Sequence, residues 1–344
     1  MKIALDATYS VGRNLTGVGV YSNAISHGLA RSHPETRFLF CYRPHRFLRS
    51  LSTTIGENCR RRLLTTACVP RADLFHGLNQ RIDSAKHRRT VSTFHDLFVM
   101  TGDYSTPDFR ARFAAQAAAA AERSDLIIAV SQFTARQVAQ LLKVDPARIR
   151  VIHHGCRPPS ESDSDANRER MILFVGALQR RKNVTRLVKA FEQTEAGWRL
   201  VLVGSLGYGS EEILGCIERS PRRADIQLAG YVPGSALEDF YRRASVFAFP
   251  SLDEGFGMPL LDAMAHGVPI VTSNCSALPE VSGDAALFVD PADVTSIAGG
   301  LHRLTTDHAL RDQLRTRGLA RCSEFSWGTA VEKTWQVYKE LLAR

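Results

Sequence analysis

Residues 250–271 read PSLDEGFGMPLLDAMAHGVPIV. The apolar run just before, SVFAF, has the pattern of a strand ending near Ser251, and a helix is expected to open at Met258-Pro259, because proline suits the first helical turn. Such a turn leaves the backbone N–H groups around Phe256, Gly257 and Met258 without helical partners, and the helix dipole favours negative charge there. Gly255 and Gly257 let a ligand come close to the backbone. Glu254 lies in the turn, and Asp262, eight positions on, lies about one turn into the helix. Carboxylates are poor phosphate ligands and good acceptors for hydroxyls. Backbone donors and carboxylates at one turn therefore suit a phosphate flanked by polyols, as in a nucleotide sugar.

This unit belongs to a series. MILFVGAL, WRLVLVGS, DIQLAGYV, VPIVTS and AALFVD are further strand-like runs in the second half. In the first half KIALDA, RFLFCY, ADLFHG, RTVSTFHD, DLIIAVS and RIRVIHHG play the same part. Helical stretches such as VYSNAISHGLARS, FRARFAAQAAAAAERS and FTARQVAQLLKV lie between several of them, which implies βαβ units and parallel sheets. The polar, proline-containing stretch CRPPSESDSDANRER, residues 156–170, reads as a linker. The chain is thus α/β, with one doubly wound domain over 1–160 and a second over 161–325. Residues 326–344 are expected to form a helix packing back toward the first domain. A length of 344 residues suits two domains. Ligands of such sheets gather beyond the carboxyl ends of the strands.

Composition excludes other classes. At 44% hydrophobic and 23% charged residues the chain reads as globular. No apolar run reaches the ~18–20 residues of a membrane span, and MKIALDATYS enters a strand pattern directly, so a cytoplasmic protein is expected. The seven cysteines are scattered without a Cys-x-x-Cys pair, which predicts reduced thiols and no zinc site. Residues 1–165 carry 23 Lys+Arg against 14 Asp+Glu, while the remainder balances at 21 and 21, so the net +9 sits in the first half. Basic surface of this kind suits an anionic membrane face or an anionic substrate. Nucleic acid is disfavoured, because the basic clusters lack interleaved aromatics.

Three more segments carry chemistry. In VGALQRRKN, residues 175–183, Arg181 and Lys182 follow a strand and are suited to neutralise a diphosphate, while Arg180 is expected to face solvent. Gly17-Val18-Gly19 opens the first helix, where its amides can reach a phosphate. It is not a dinucleotide fingerprint, because Ser22 stands where the third glycine would be. His95, in RTVSTFHDL, closes a strand; Asp96 points to the other side and need not orient it. His76, His153 and His154 also end strand-like runs and are secondary candidates.

The segment AFPSLDEGFGMPLLDAMAHGVPIVTSNCSALPEVSGDAALFVDP resembles the Glu-x7-Glu signature of retaining glycosyltransferases of family four (group 1), and the resemblance extends over nearly the whole chain. It implies the GT-B fold, two Rossmann-like domains facing across a cleft. The second acid is here Asp262, one methylene shorter than the family's glutamate, at the position that binds the nucleotide ribose. The resemblance implies that Arg181 and Lys182 hold the donor pyrophosphate with Gly255, Phe256, Gly257 and Met258. It places Gly17 and Gly19 in the donor loop and the backbone near Val232 beside the base. It makes His95, Glu254 and Lys182 the catalytic set, with Glu254 on the sugar hydroxyls. The implied reaction is retaining transfer of a hexose from a nucleoside diphosphate sugar to an acceptor hydroxyl, with no metal or other cofactor.

The form of DATYSVG…TGVGVYSNAI and of Arg-Lys-Asn is most similar to bacterial mannosyltransferases of surface-polysaccharide assembly. That points to GDP-mannose, with UDP-hexoses behind it, and to a saccharide or lipid-linked acceptor. It also implies a peripheral place at the inner face of the plasma membrane. The alternatives are a nucleotide-sugar epimerase or hydrolase on the same fold and a non-catalytic nucleotide-sugar binding module.

Overall fold

The computed structural model describes residues 1–344 except 13–14, 66–67, 69, 84 and 158–167. The chain forms two compact units. The first comprises Met1–Thr101, Thr106–Gly155 and Ser326–Arg344; the second comprises Gly102–Ser105 and Cys156–Phe325. The boundary expected at residue 160 lies outside the described residues.

Unit 1 is built on β1 (Lys2–Asp6), β2 (Arg37–Tyr42), β3 (Cys59–Leu63), β4 (Leu74–Gly77), β5 (Thr90–Phe94), β6 (Leu126–Ala129) and β7 (Ile149–Val151), with spatial order β3-β2-β1-β4-β5-β6-β7. Unit 2 is built on β8 (Glu169–Val175), β9 (Arg199–Val203), β10 (Ile226–Gly230), β11 (Ala244–Phe249), β12 (Ile270–Ser273) and β13 (Ala286–Val289), in the order β10-β9-β8-β11-β12-β13. Every pairing is parallel. Each sheet thus follows the doubly wound order, reversing direction beside its first strand. The central strands are near-continuous apolar runs because helices cover both faces; β6 is Leu-Ile-Ile-Ala with every residue buried.

The helix Trp327–Leu342 belongs to unit 1. The Ser326 hydroxyl caps it by accepting from the N–H groups of Gly328 and Thr329. Val331, Trp335, Tyr338 and Leu341 from this helix join Ile3, Leu5, Tyr21, Ile25 and Leu29 in the main core of the unit.

The cysteines correct the sequence reading. Cys156 and Cys322 are joined in a disulfide across 166 residues. Both lie in unit 2 beside the points where the chain enters and leaves it, and the Cys156 N–H donates to the Phe325 carbonyl at 3.0 Å. Their spacing hides a proximity that only the folded path creates. Cys41, Cys59, Cys68, Cys216 and Cys275 remain free thiols.

Candidate functional site

In unit 2 the strand order reverses between β8 and β11, and the two motif loops follow these neighbouring strands. The β8 loop carries a 3-10 turn over Arg180–Lys182 and the β11 loop carries Glu254. They are stitched together by backbone: the Leu252 N–H donates to the Arg181 carbonyl at 2.9 Å, and the Arg181 guanidinium donates to the Asp253 carbonyl. Asn183 holds the arrangement from below. It sits in the left-handed region at φ 61°, and its amide donates to the carbonyls of Pro250 (2.9 Å) and Pro291 (2.7 Å). Sequence reasoning used Asn183 only as part of the Arg-Lys-Asn form and gave it no structural role, although asparagine tolerates that backbone region better than most residues.

The side chains converge. Arg181 reaches Glu254 Oε1 at 2.9 Å, and Lys182 Nζ pairs with the same oxygen. Glu254 Oε2 takes no hydrogen bond from the described residues. All three residues are 7% exposed. Burial acts to raise the Glu254 carboxyl, but Arg181 and then Lys182 outweigh it and hold its pKa down to about 2. The Lys182 ammonium also lies over the Phe249 ring, 4.5 Å from its centroid. Arg180, half exposed, pairs with Glu212 at 3.5 Å.

The helix Met258–Ala265 opens as expected, with Pro259 in its first turn and no side-chain hydrogen bond capping it. Gly257 stands at φ +101°, and a Cβ there would meet Leu278 Cδ2 at 2.9 Å. The left-handed backbone favours glycine, and any side chain there would also displace the end of Leu278. Phe256 is buried, with its ring edge-on to Phe325. Asp262 follows one turn on. Burial raises its pKa to about 6, partly opposed by His266 and Arg157. The His266 ring donates from Nδ1 to the Asp262 carbonyl at 2.8 Å and stacks on Tyr241. Val232 follows β10 at the edge of the same sheet.

In unit 1, Gly17 is exposed at the start of the helix Gly17–Ser32. Gly19 is buried, and a Cβ on it would come within 2.9 Å of the Tyr9 carbonyl oxygen, so close packing by itself demands glycine there. His95 lies just past β5 and is 7% exposed. Its Nε2 donates to the Leu78 carbonyl at 3.0 Å, and burial lowers its pKa to about 4. His76 turns out to be a core residue: it is wholly buried and hydrogen-bonded to Tyr338 and Thr93, and burial brings its pKa down to about 3. His154 stacks on His95 with centroids 5.5 Å apart.

Comparison with known proteins identifies the family. The family pattern described as "Glycosyl transferases group 1" matches residues 160–321, and that described as "Glycosyltransferase Family 4" matches residues 18–158. The chain is 32% identical over 286 residues to the O-antigen chain mannosyltransferase B of Escherichia coli, covering 78% of this chain and 74% of that protein. Among solved structures, a sucrose-phosphate synthase from Thermosynechococcus elongatus superposes with a TM-score of 0.80 at 20% identity, covering 100% of this chain and 99% of that one. Anabaena HepE in complex with UDP-glucose superposes with a TM-score of 0.74 at 16% identity, covering 99% of each chain. With two parallel Rossmann-like sheets, both family patterns and a curated relative along most of its length, the chain belongs to the family 4 (group 1) glycosyltransferases and is a transferase enzyme of GT-B fold.

Proposed function

We propose that the protein transfers mannose, with retention of configuration, from GDP-mannose to a hydroxyl of a saccharide or lipid-linked acceptor in polysaccharide or glycolipid assembly. The observation that carries the donor site is the shared contact at Glu254: two buried cations hold one carboxylate oxygen and leave the other for a sugar hydroxyl. Arg181 and Lys182 then stabilise the departing diphosphate together with the uncapped helix at Met258, and preorganised charge of this kind is often the largest catalytic contribution. With that charge supplied by side chains, the reaction is proposed to run without a metal. Asp262 accepts from the ribose, the backbone near Val232 borders the base, and the Gly17 turn reaches the donor phosphate. His95, neutral at physiological pH, contacts the transferred sugar.

Mannose is favoured because the relative at 32% identity is named a mannosyltransferase. A thermal-shift and turnover screen of GDP, UDP, ADP and dTDP sugars tests the donor. Selective stabilisation and consumption of GDP-mannose is expected, and preference for a UDP-hexose would replace that assignment. Consumption that needs no acceptor would favour the epimerase or hydrolase reading.

A peripheral contact of unit 1 with anionic membrane, at the cytoplasmic face, is part of the proposal. Leu48 (77% exposed) and Leu51 (58%) stand out beside the exposed Arg49, with Arg60 and Arg62 exposed on edge strand β3. Exposed apolar and basic side chains on the same unit suit an anionic headgroup layer. No helix among the described residues is long and apolar enough to cross a membrane. Co-sedimentation with liposomes is expected to rise with anionic lipid content and to fall in Leu48→Ser/Leu51→Ser.

A further inference from the structure

The core of unit 1 contains a polar chain that the proposed reaction does not use. The Tyr338 hydroxyl lies 2.6 Å from His76 Nδ1, His76 Nε2 lies 2.8 Å from Thr93 Oγ1, and Thr93 Oγ1 lies 2.8 Å from the Tyr21 hydroxyl. All four side chains are wholly buried. Polar groups are costly in a core unless every member is satisfied, and a satisfied network fixes its members in one geometry. An apolar core would fill the same space with Phe and Val. What the network secures is the ring of Tyr21.

That ring touches His95. The two centroids are 4.7 Å apart with an interplanar angle of 81°, and Tyr21 packs in the same way on His154 at 5.1 Å. His154 lies nearly parallel to His95. The His95 imidazole is therefore held by the Tyr21 edge, by the His154 face and by the Leu78 carbonyl that takes its Nε2 proton. A carbonyl oxygen only accepts, so a neutral His95 must carry its proton on Nε2 and present a lone pair at Nδ1. Nδ1 takes no hydrogen bond from the described residues. Tyr21 stands four residues after Gly17 on the same helix.

We propose that Tyr21 is a positioning residue for His95: anchored by its hydroxyl to Thr93, its ring fixes the imidazole with Nδ1 as an acceptor for a hydroxyl of the bound sugar. This rests on the reading of His95 as a sugar contact. It assigns the buried chain Tyr338–His76–Thr93 the task of holding Tyr21 in register with β5.

The test combines kinetics with histidine nitrogen NMR on the full chain labelled with ¹⁵N-histidine, using GDP-mannose as the probe. Tyr21→Leu is expected to lower kcat by about tenfold to a hundredfold with KM for the donor little changed, the size expected of a misplaced contact. Tyr21→Phe, which keeps the ring, restores part of that loss. In a His95→Ala background Tyr21→Leu has no further effect. The His95 ring shows Nε2 protonated and Nδ1 free in the parent protein, and a tautomer mixture in Tyr21→Leu. The proposal is overturned if Tyr21→Leu costs as much without His95 as with it, or if the tautomer is unmoved. If Tyr21→Leu does not fold, the same two criteria are applied to Tyr21→Phe and Thr93→Val. Full activity in His95→Ala alone would remove the sugar-contact reading, and the NMR outcome would still decide whether Tyr21 fixes the ring.

Discussion

Glu254 is a carboxylate held at a pKa of about 2 by two cations that would themselves be stranded without it. Removing one partner of a buried ionic cluster leaves the rest uncompensated, at a cost of about 3–5 kcal/mol. Glu254→Ala should therefore lower the unfolding midpoint of unit 2 as well as abolish most transfer, and a nucleoside diphosphate should recover part of the lost stability by pairing with Arg181 and Lys182. Calorimetry with and without the nucleotide checks this. Lys182→Ala, which leaves Arg181 on the carboxylate, should keep the fold and lower kcat by about 10²–10³-fold, the usual loss for one charge-stabilising donor. Asp262 has the opposite shift. Its native pKa, near 6, lies above the ordinary 3.8, so the folded protein holds that proton more tightly. The stabilisation from this group is complete below about pH 4 and is lost as pH rises through 6. The ionised form, the better acceptor for hydroxyls, predominates only above that range. Binding of an intact nucleotide sugar, followed by calorimetric titration, should weaken as pH falls from 7 to 5, and Asp262→Asn should flatten that dependence. The sequence disclosed these positions because each follows a strand or opens a helix. It did not disclose that Glu254, Arg181 and Lys182 contact one another, since that contact depends on β8 and β11 being neighbours.

Among elements, most strands of the second half are readable as largely buried apolar runs, as in β9 and β11, while the edge strand β10, Ile-Gln-Leu-Ala-Gly, is mostly exposed beyond Ile226. β3 in the first half is not readable in this way. Its sequence, Cys-Arg-Arg-Arg-Leu, looks like a charged loop, and it becomes a strand by pairing along β2 at the sheet edge. Charged side chains on an edge discourage further strand pairing, which is why such a strand escapes a hydrophobicity reading. The helix Met258–Ala265 was legible down to its first turn, because proline and glycine mark the boundary there. Its geometry makes a sharp prediction. Gly257→Ala imposes a Cβ on a left-handed backbone and crowds the end of Leu278, so the turn at the helix start is strained. The expected result is a loss of about 1–3 kcal/mol in stability together with weaker nucleotide binding, read from denaturant unfolding and from titration. A variant that loses stability but keeps full affinity would place the phosphate away from this turn.

For the molecule as a whole, two features tie distant parts of the chain together. The Cys156–Cys322 bond closes a loop of 166 residues within unit 2, and in the chain-entropy account such a closure contributes up to about 5 kcal/mol. Scanning calorimetry with and without reductant should show the unit 2 transition moving down while that of unit 1 stays nearly fixed. The pairing was invisible in the sequence because nothing local relates positions so far apart. The second feature is the return of Ser326–Arg344 to unit 1. Ala330, Val331, Trp335, Val337, Tyr338 and Leu341 fill its main core, so the first 155 residues have no complete interior of their own. During translation unit 2 has all of its residues available before unit 1 does. The nascent amino-terminal half must wait on the ribosome, its apolar sheet face uncovered, until the segment from Ser326 has emerged. Chaperone dependence should therefore fall on the half that is made first.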